Sequence, residues 1–243
     1  MMEQNVEWQS RTELLGGREF LMNLSDAHVL VVGLGGVGGY AAEMLCRAGV
    51  GEMTIVDGDR VRPSNRNRQL IALTSTEGRH KTDLFEARLK DINPAVKLHK
   101  ITEFLREGRM DEVLQTHYDY VVDAIDTLSP KVFLIAKTLE RGYPLVSSMG
   151  SGGKFDPSQV RVDDISKSYN CKLAQSIRKQ LHRLGIHSGF QAVFSPEKVD
   201  KDAICLVEGE ENKRSAVGTI SYMPPVFGMV ISSVVIRDLT GRN

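Results

Sequence analysis

From His28 onward the chain alternates short, unbroken apolar runs with longer stretches in which apolar residues recur every three or four positions. The short runs, His28 to Val32, Met53 to Asp57, Val96 to Thr102, Tyr120 to Asp123 and Leu145 to Ser147, predict buried strands. The longer ones, Gly36 to Ala48, Lys81 to Asn93 and Ser129 to Arg141, predict helices. Pro94 ends the second of these, because the residue before a proline is driven out of the helical region. Strand, helix and strand in repetition read as β-α-β units on a parallel sheet. The expected fold is α/β: a Rossmann-like, mostly parallel sheet flanked by helices.

After Met149 the pattern changes. Gly150 to Pro157 is turn-rich, Gln159 to Ile165 reads as a strand, and Lys172 to Leu184 reads as an amphipathic helix. In that helix Leu173, Ile177, Leu181 and Leu184 fall on one face, with Arg178, Lys179, His182 and Arg183 largely on another. The polar stretch Glu208 to Ser215 is expected as a mobile loop, and Pro225 to Leu239 as a closing buried helix. Residues 1–149 thus form the core, and 150–243 a smaller α+β extension of the same domain. No internal repeat or low-complexity segment interrupts this order.

At 243 residues and 41% hydrophobic content, such a chain can bury its core without a metal or disulfide. Lys plus Arg and Asp plus Glu both number 31, so there is no global attraction to nucleic acid or anionic membranes. Any RNA contact must come from a local basic patch. Cys46, Cys171 and Cys205 are far apart and form no Cys-x-x-Cys pair, so no zinc is expected and a reducing cytoplasm fits best. Cys46 and Cys205 read as packing residues. The start of the chain lacks the basic and apolar regions of a secretory signal, and the apolar stretch Pro224 to Ile236 is too short to span a bilayer. No membrane association is expected.

The first strand runs straight into Gly33-Leu-Gly35-Gly36-Val-Gly38 and a helix. Missing side chains let backbone N–H groups approach a phosphate there, and the helix N-terminus adds partial positive charge. About twenty residues later the second strand ends in Asp57-Gly-Asp59, placed to hold a ribose hydroxyl. A tight turn packing helix on strand would look the same; the surrounding strand, turn and helix favour a nucleotide. A dinucleotide needs little more, whereas a reacting triphosphate needs cations and a metal-binding carboxylate. Ser64-Asn65-Arg66-Asn67-Arg68-Gln69 and Lys81 supply the cations, and Asp126, just beyond the fourth strand, is placed to hold Mg²⁺. Taken singly, each of these charges also reads as a solvated surface residue. Together they favour ATP over NAD.

These motifs, with Gly78-x-x-Lys81, Ile92-Asn93-Pro94 and Asp123-Ala-Ile-Asp126, resemble those of the ubiquitin-activating-enzyme-like adenylating superfamily, in its HesA, MoeB and ThiF branch. The resemblance covers nearly the whole chain. It implies that Gly33, Gly35, Gly36, Gly38, Asp57, Asp59, Asn65, Arg68, Gln69 and Lys81 line the ATP site, with Asp57 on the ribose. Asn65, Arg68 and Lys81 would hold the phosphates and Asp126 the Mg²⁺. It further implies a homodimer in which Arg11, within Gln9-Ser-Arg11-Thr-Glu-Leu-Leu-Gly16, enters the other subunit's ATP site. The chemistry implied is attack of a carboxylate on the α-phosphate, and no general base is needed because a carboxylate is ionised at neutral pH.

Ser148 to Val160, Val162-Asp-Asp164-Ile, Val193-Phe-Ser195-Pro-Glu197 and Gly218 to Gly228 are similar to the branch of that superfamily that dehydrates threonylcarbamoyladenosine in tRNA. This implies a tRNA substrate, a sulfurtransferase-type protein partner for some members and a bound monovalent cation. The chain departs from that branch at Asn170-Cys171-Lys172-Leu173, where an Asp-Pro-Leu is common. The rival expectation is an activator of a ubiquitin-like sulfur-carrier protein. Cys171 beside the basic helix is then the candidate acceptor thiol, should Lys167 and Lys172 lower its pKa. Such activators usually carry two zinc-binding Cys-x-x-Cys pairs, which this chain lacks.

Overall fold

The computed structural model describes residues 7–206 and 215–242. Two short helices, α1 (Ser10–Gly16) and α2 (Arg18–Asp26), precede the alternating core. The core runs β1 (His28–Val32), α3 (Gly38–Ala48), β2 (Glu52–Val56), α4 (Lys81–Ile92), β3 (Lys97–Ile101), α5 (Glu107–Val113), β4 (Tyr120–Asp123), α6 (Leu128–Glu140) and β5 (Leu145–Ser148). The remainder adds β6 (Arg161–Asp164), α7 (Lys172–Arg183), β7 (Gln191–Phe194), β8 (Ile204–Leu206), β9 (Ser215–Val217) and α8 (Met223–Leu239).

The main sheet is seven-stranded, in the order β3-β2-β1-β4-β5-β7-β6. All neighbours pair in parallel except β6, which runs antiparallel to β7 at one edge. Because successive side chains of a strand point to opposite faces, β1 sends Val29 and Val31 into one core with α3, α4 and α8, and Leu30 and Val32 into another with α5, α6 and α7. The sheet is therefore covered on both sides, as the unbroken apolar strands require. The α/β expectation is met. The extension joins the same sheet through β6 and β7, while β8 and β9 pair separately as a two-stranded antiparallel sheet.

Element boundaries move by small steps. The first core helix begins at Gly38 instead of Gly36, because Gly35 and Gly36 belong to the turn, and the strand expected from Gln159 opens at Arg161 after a 3₁₀ turn over Pro157–Gln159. Apart from Ser215, which opens β9, the expected loop Glu208 to Ser215 lies outside the described residues. On α7 the buried residues are Ala174, Ile177 and Leu181, while Leu184, expected on the buried face, lies past the helix end and is exposed. Cys205, expected to pack, is exposed on β8. No helix among the described residues is long and apolar enough to cross a membrane.

Candidate functional site

Three strand ends meet at one level. In the sheet register Val32 of β1 lies beside Val56 of β2 and Asp123 of β4. Gly33, Asp57 and Ala124 therefore leave the sheet together at its C-terminal edge, where the strand order reverses and where ligands bind in open α/β sheets. Gly33 takes a φ of 93°, and a Cβ on it would stand 2.8 Å from Ala124 O. A Cβ on Gly38 would fall 1.8 Å from Gly33 O, and one on Gly36 would meet Pro224 at 2.9 Å. Packing alone demands these three glycines. Gly35 is different: its added Cβ would meet only Gln69 Nε2, at 3.7 Å. Its bare backbone leaves room that the protein does not fill, at the N-terminal approach to α3 where an anion is favoured.

Gln69 borders that room. It is buried, and its Oε1 has no hydrogen-bond partner. A buried acceptor left unpaired costs about 1–3 kcal/mol, so a ligand donor or ordered water is the expected complement. Arg68 lies alongside, with Cγ 3.3 Å from the Cβ position on Gly36 and Nη1 donating to Ser64 O at 2.9 Å and Asn67 Oδ1 at 2.8 Å. Asn65 holds the turn that presents it, its Oδ1 accepting the Arg62 N–H at 3.1 Å and its carbonyl the Arg68 N–H at 3.1 Å.

The acidic pair is more engaged than the sequence suggests. Asp57 Oδ2 accepts the Leu34 N–H and Oδ1 the Asp59 N–H, each at 2.7 Å, so this carboxylate braces the glycine turn. Each oxygen keeps a further lone pair for a hydroxyl donor. Burial pushes the Asp57 pKa up, opposed by the charge of Lys81. Lys81 is itself buried at the start of α4, with Nζ 2.9 Å from Asp59 Oδ2 and 3.6 Å from Asp57 Oδ2. The ammonium expected on a phosphate is thus held by the two carboxylates at the edge of the turn. The preceding residue, His80, has a buried Nδ1 without a partner.

Asp126 is exposed on the loop after β4, two residues beyond the Ala124 that touches Gly33. A residue missed at the sequence level fixes that loop. Lys131 of α6 is wholly buried, with Nζ 2.7 Å from Asp123 Oδ2 and donating to Ile125 O at 3.0 Å. Its signal was a lysine sharing the apolar helical face of Leu134, Ile135 and Thr138.

Arg11 does not join this group within the chain. It is exposed on α1, just after Gln9, whose side chain covers Gly49 at the far end of α3. An 11-residue helix is about 16 Å long, which separates this end from the glycine turn. Leu14 and Leu15 beside it are 82% and 81% exposed.

The thiols differ from one another. Cys46 is buried in α3 and donates to Leu89 O at 3.3 Å, and burial pushes its pKa up to about 12. Cys171 is buried at the start of α7. Lys167, one of the cations expected to act on it, is paired with Asp163 at 3.0 Å instead.

A mostly parallel sheet with a glycine turn, an acidic pair and cations gathered at its topological switch point is the arrangement of a Rossmann-like fold. The chain belongs to the ThiF family, which it matches over residues 9–243. It is 39% identical over 237 residues to the tRNA threonylcarbamoyladenosine dehydratase of Bacillus subtilis, covering 95% of this chain and 93% of that relative. The solved E. coli tRNA N6-threonylcarbamoyladenosine dehydratase in complex with ATP matches with a TM-score of 0.89 and 32% identity, over 98% of this chain and 95% of that one. The AMP complex of the same enzyme gives a TM-score of 0.86 at 33% identity, over 97% of this chain and 96% of that one. The adenylyltransferase and sulfurtransferase UBA4 of Lodderomyces elongisporus is 32% identical over only 63% of this chain and 33% of its own length. The superfamily resemblance seen in the motifs is borne out.

Proposed function

We propose that this chain is an ATP-dependent, carboxylate-adenylating tRNA threonylcarbamoyladenosine dehydratase. The observation that carries the reading is the reach of the likeness. Dehydratase relatives match through the extension after Met149, whereas the adenylyltransferase and sulfurtransferase UBA4 matches 63% of the chain.

In the proposed reaction an oxygen of the threonyl carboxylate attacks the α-phosphorus of ATP, pyrophosphate leaves, and an acyl-adenylate forms. A nucleophile on the same substituent then attacks the activated carbonyl carbon, gives up its proton to solvent and expels AMP, which carries away the carboxylate oxygen. Intramolecular attack supplies the proximity that a protein nucleophile would otherwise provide. Gly35 and the start of α3 receive the phosphates, and Asp57 takes a ribose hydroxyl with its remaining lone pairs. On nucleotide binding Lys81 moves from the acidic pair toward phosphate, joined by Arg68 and Asn65, while Gln69 Oε1 gains a donor. Asp126 would hold Mg²⁺, which would supply further charge neutralisation when bound. Arg11 serves the site of a second copy in a homodimer, where Leu14 and Leu15 lie against the partner. The extension, residues 150–243, receives the tRNA, and the setting is the cytoplasm.

The test is incubation of the protein with Mg-ATP and tRNA carrying threonylcarbamoyladenosine, followed by nucleoside mass analysis. Loss of one water from that nucleoside, with AMP and pyrophosphate formed one to one, is expected. ATP-dependent adenylation of a sulfur-carrier C-terminus, with the nucleoside unchanged, would favour the rival activity instead.

A further inference from the structure

At the opposite end of the strands from the glycine turn, His28 of β1 is in register with Glu52 of β2, and Thr54 of β2 with His99 of β3. Residues two apart on a strand share a face, so His28, Glu52, Thr54 and His99 all project to the same side of the sheet. Glu52 Oε1 lies 3.7 Å from His28 Nδ1 and 2.8 Å from His99 Nε2, and one ligand atom from each of the three residues can be chosen so that all lie within 4.8 Å of one another. From this geometry we infer that His28, Glu52 and His99 form a binding site for a divalent transition-metal ion of the zinc class.

Zinc bonds of about 2.0–2.1 Å to nitrogen and oxygen place tetrahedral ligand atoms roughly 3.3 Å apart. The two observed separations bracket that value, so small side-chain rotations bring the donors onto one ion. Two imidazoles and one carboxylate suit Zn²⁺, Ni²⁺ or Cu²⁺, whereas Mg²⁺ and Ca²⁺ want oxygen ligands only. Three protein ligands leave a fourth position for water.

The surroundings orient the donors. His28 Nε2 lies 2.9 Å from Thr54 Oγ1, so an Nε2–H donated to that hydroxyl leaves the Nδ1 lone pair facing Glu52. A hydrogen bond from the other ring nitrogen is the usual brace of a metal-bound histidine. Tyr118 packs on the His28 ring at 4.7 Å between centroids, and the His28 backbone N–H is held by Asp119 Oδ2 at 2.7 Å. His99 is exposed and able to swing in. Lys97, 3.8 Å from Glu52 Oε2 and also exposed, is the cation that an ion would displace. Three strands contribute one ligand each, so the bound ion would fasten β1, β2 and β3 together. Glu52 and Lys97 also line a cleft of about 330 Å³ with Trp8, the chain's single tryptophan.

The test is calorimetric titration of the full chain with Zn²⁺ in chelator-free buffer without nucleotide. One site per chain is expected, with a rise in Tm that Mg²⁺ does not reproduce. Glu52→Gln and His99→Gln, both at exposed or half-exposed positions, should each weaken binding by more than the roughly 10–100-fold that loss of an outer hydrogen bond to a ligand costs. Thr54→Val should fall within that range, and Lys97→Gln should tighten binding. Cys205→Ser and His182→Asn, which remove exposed donors elsewhere, should change nothing. Cu²⁺ should quench Trp8 fluorescence in the wild type and not in His99→Gln. Zn²⁺ affinity equal in the wild type, Glu52→Gln and His99→Gln overturns the assignment, as does affinity lost only in the Cys205 or His182 variant. None of these readouts depends on adenylation, so the site stands or falls apart from the proposed activity.

Discussion

Lys131 Nζ and Asp123 Oδ2 are 2.7 Å apart, and neither side chain reaches solvent. Asp123 also accepts from Ser147 Oγ at 2.6 Å and from the Ile125 N–H at 3.1 Å, while Lys131 returns a bond to Ile125 O. The pair pins both sides of residue 125 and thereby sets where Asp126 stands. Removing one partner strands the other charge in the core, a loss of about 3–5 kcal/mol in comparable buried pairs. Lys131→Met should show that loss in urea unfolding, and Lys131→Met with Asp123→Asn should recover part of it. Both variants should be slowed in ATP-pyrophosphate exchange, because the loop presenting Asp126 is no longer held. Stability unchanged in Lys131→Met would show that the pair adds nothing.

The glycine turn separates packing from ligand approach. Gly38→Ala must displace backbone, since its Cβ would lie 1.8 Å from Gly33 O, and a loss of about 1–3 kcal/mol or more is expected in thermal unfolding. Gly35→Ala meets nothing closer than 3.7 Å and should keep the wild-type Tm while losing ATP affinity in calorimetry. Unchanged ATP affinity in Gly35→Ala would move the phosphates elsewhere.

Asp126→Ala and Arg68→Ala should each slow ATP-pyrophosphate exchange by roughly 100-fold to 1000-fold, the usual effect of deleting one well-placed charge stabiliser. Asp126 is exposed and Arg68 half-buried in the turn, so the circular dichroism spectrum should show the fold retained. Exchange at wild-type rate in both variants would remove them from the site.

The parallel core was legible because its central strands, such as Val29 to Val32, are unbroken apolar runs, the mark of burial on both faces. α5 and β7 were not, because seven mostly polar residues and a four-residue strand are too short to show a period. Strand order and charge placed Asp57, Asp59, the Ser64 to Gln69 run, Lys81 and Asp126 near the glycine turn, while their separate roles on ribose, phosphate and metal came from the family motifs. Their present hydrogen bonds could not be foreseen: Asp57 bracing Leu34 depends on the register between β1 and β2, and Lys81 resting on Asp59 depends on how the segment from β2 to α4 folds back on itself, neither of which the chain order states. Arg178 shows the converse. Its spacing puts it on the polar face of α7, yet Nη1 donates to Ser168 O at 2.7 Å and it is half-buried.

Arg11 can act on a phosphate only across an interface, because its helix packs at the end of α3 away from the glycine turn. Two-fold symmetry makes such an exchange mutual. Arg11→Ala and Asp126→Ala, each inactive as a homodimer, should regain activity when mixed, up to about one quarter of the wild type if one intact site forms per hybrid and subunits exchange freely. Light scattering of the wild type should report twice the chain mass. A fully active monomer would contradict both statements.

The basic face of α7 is the local patch expected to meet tRNA on a chain of zero net charge. Lys172, Lys179 and Arg183 are exposed, whereas Arg178 is engaged with Ser168, so the patch reduces to three cations and Arg178 becomes a brace for the turn before the helix. Replacing Lys172, Lys179 and Arg183 with Glu should leave ATP binding and Tm unchanged and abolish detectable tRNA binding at moderate salt. Neutral Gln at the three positions should lower the slope of log affinity against log salt by about 2 to 3, the release expected from three phosphate contacts. Arg178→Gln should instead lower Tm and leave the slope as it was. If the triple Glu variant binds tRNA like the wild type, α7 serves packing alone, and the RNA contact has to be sought in the stretch Glu208 to Ser215 or around Arg60 and Arg62.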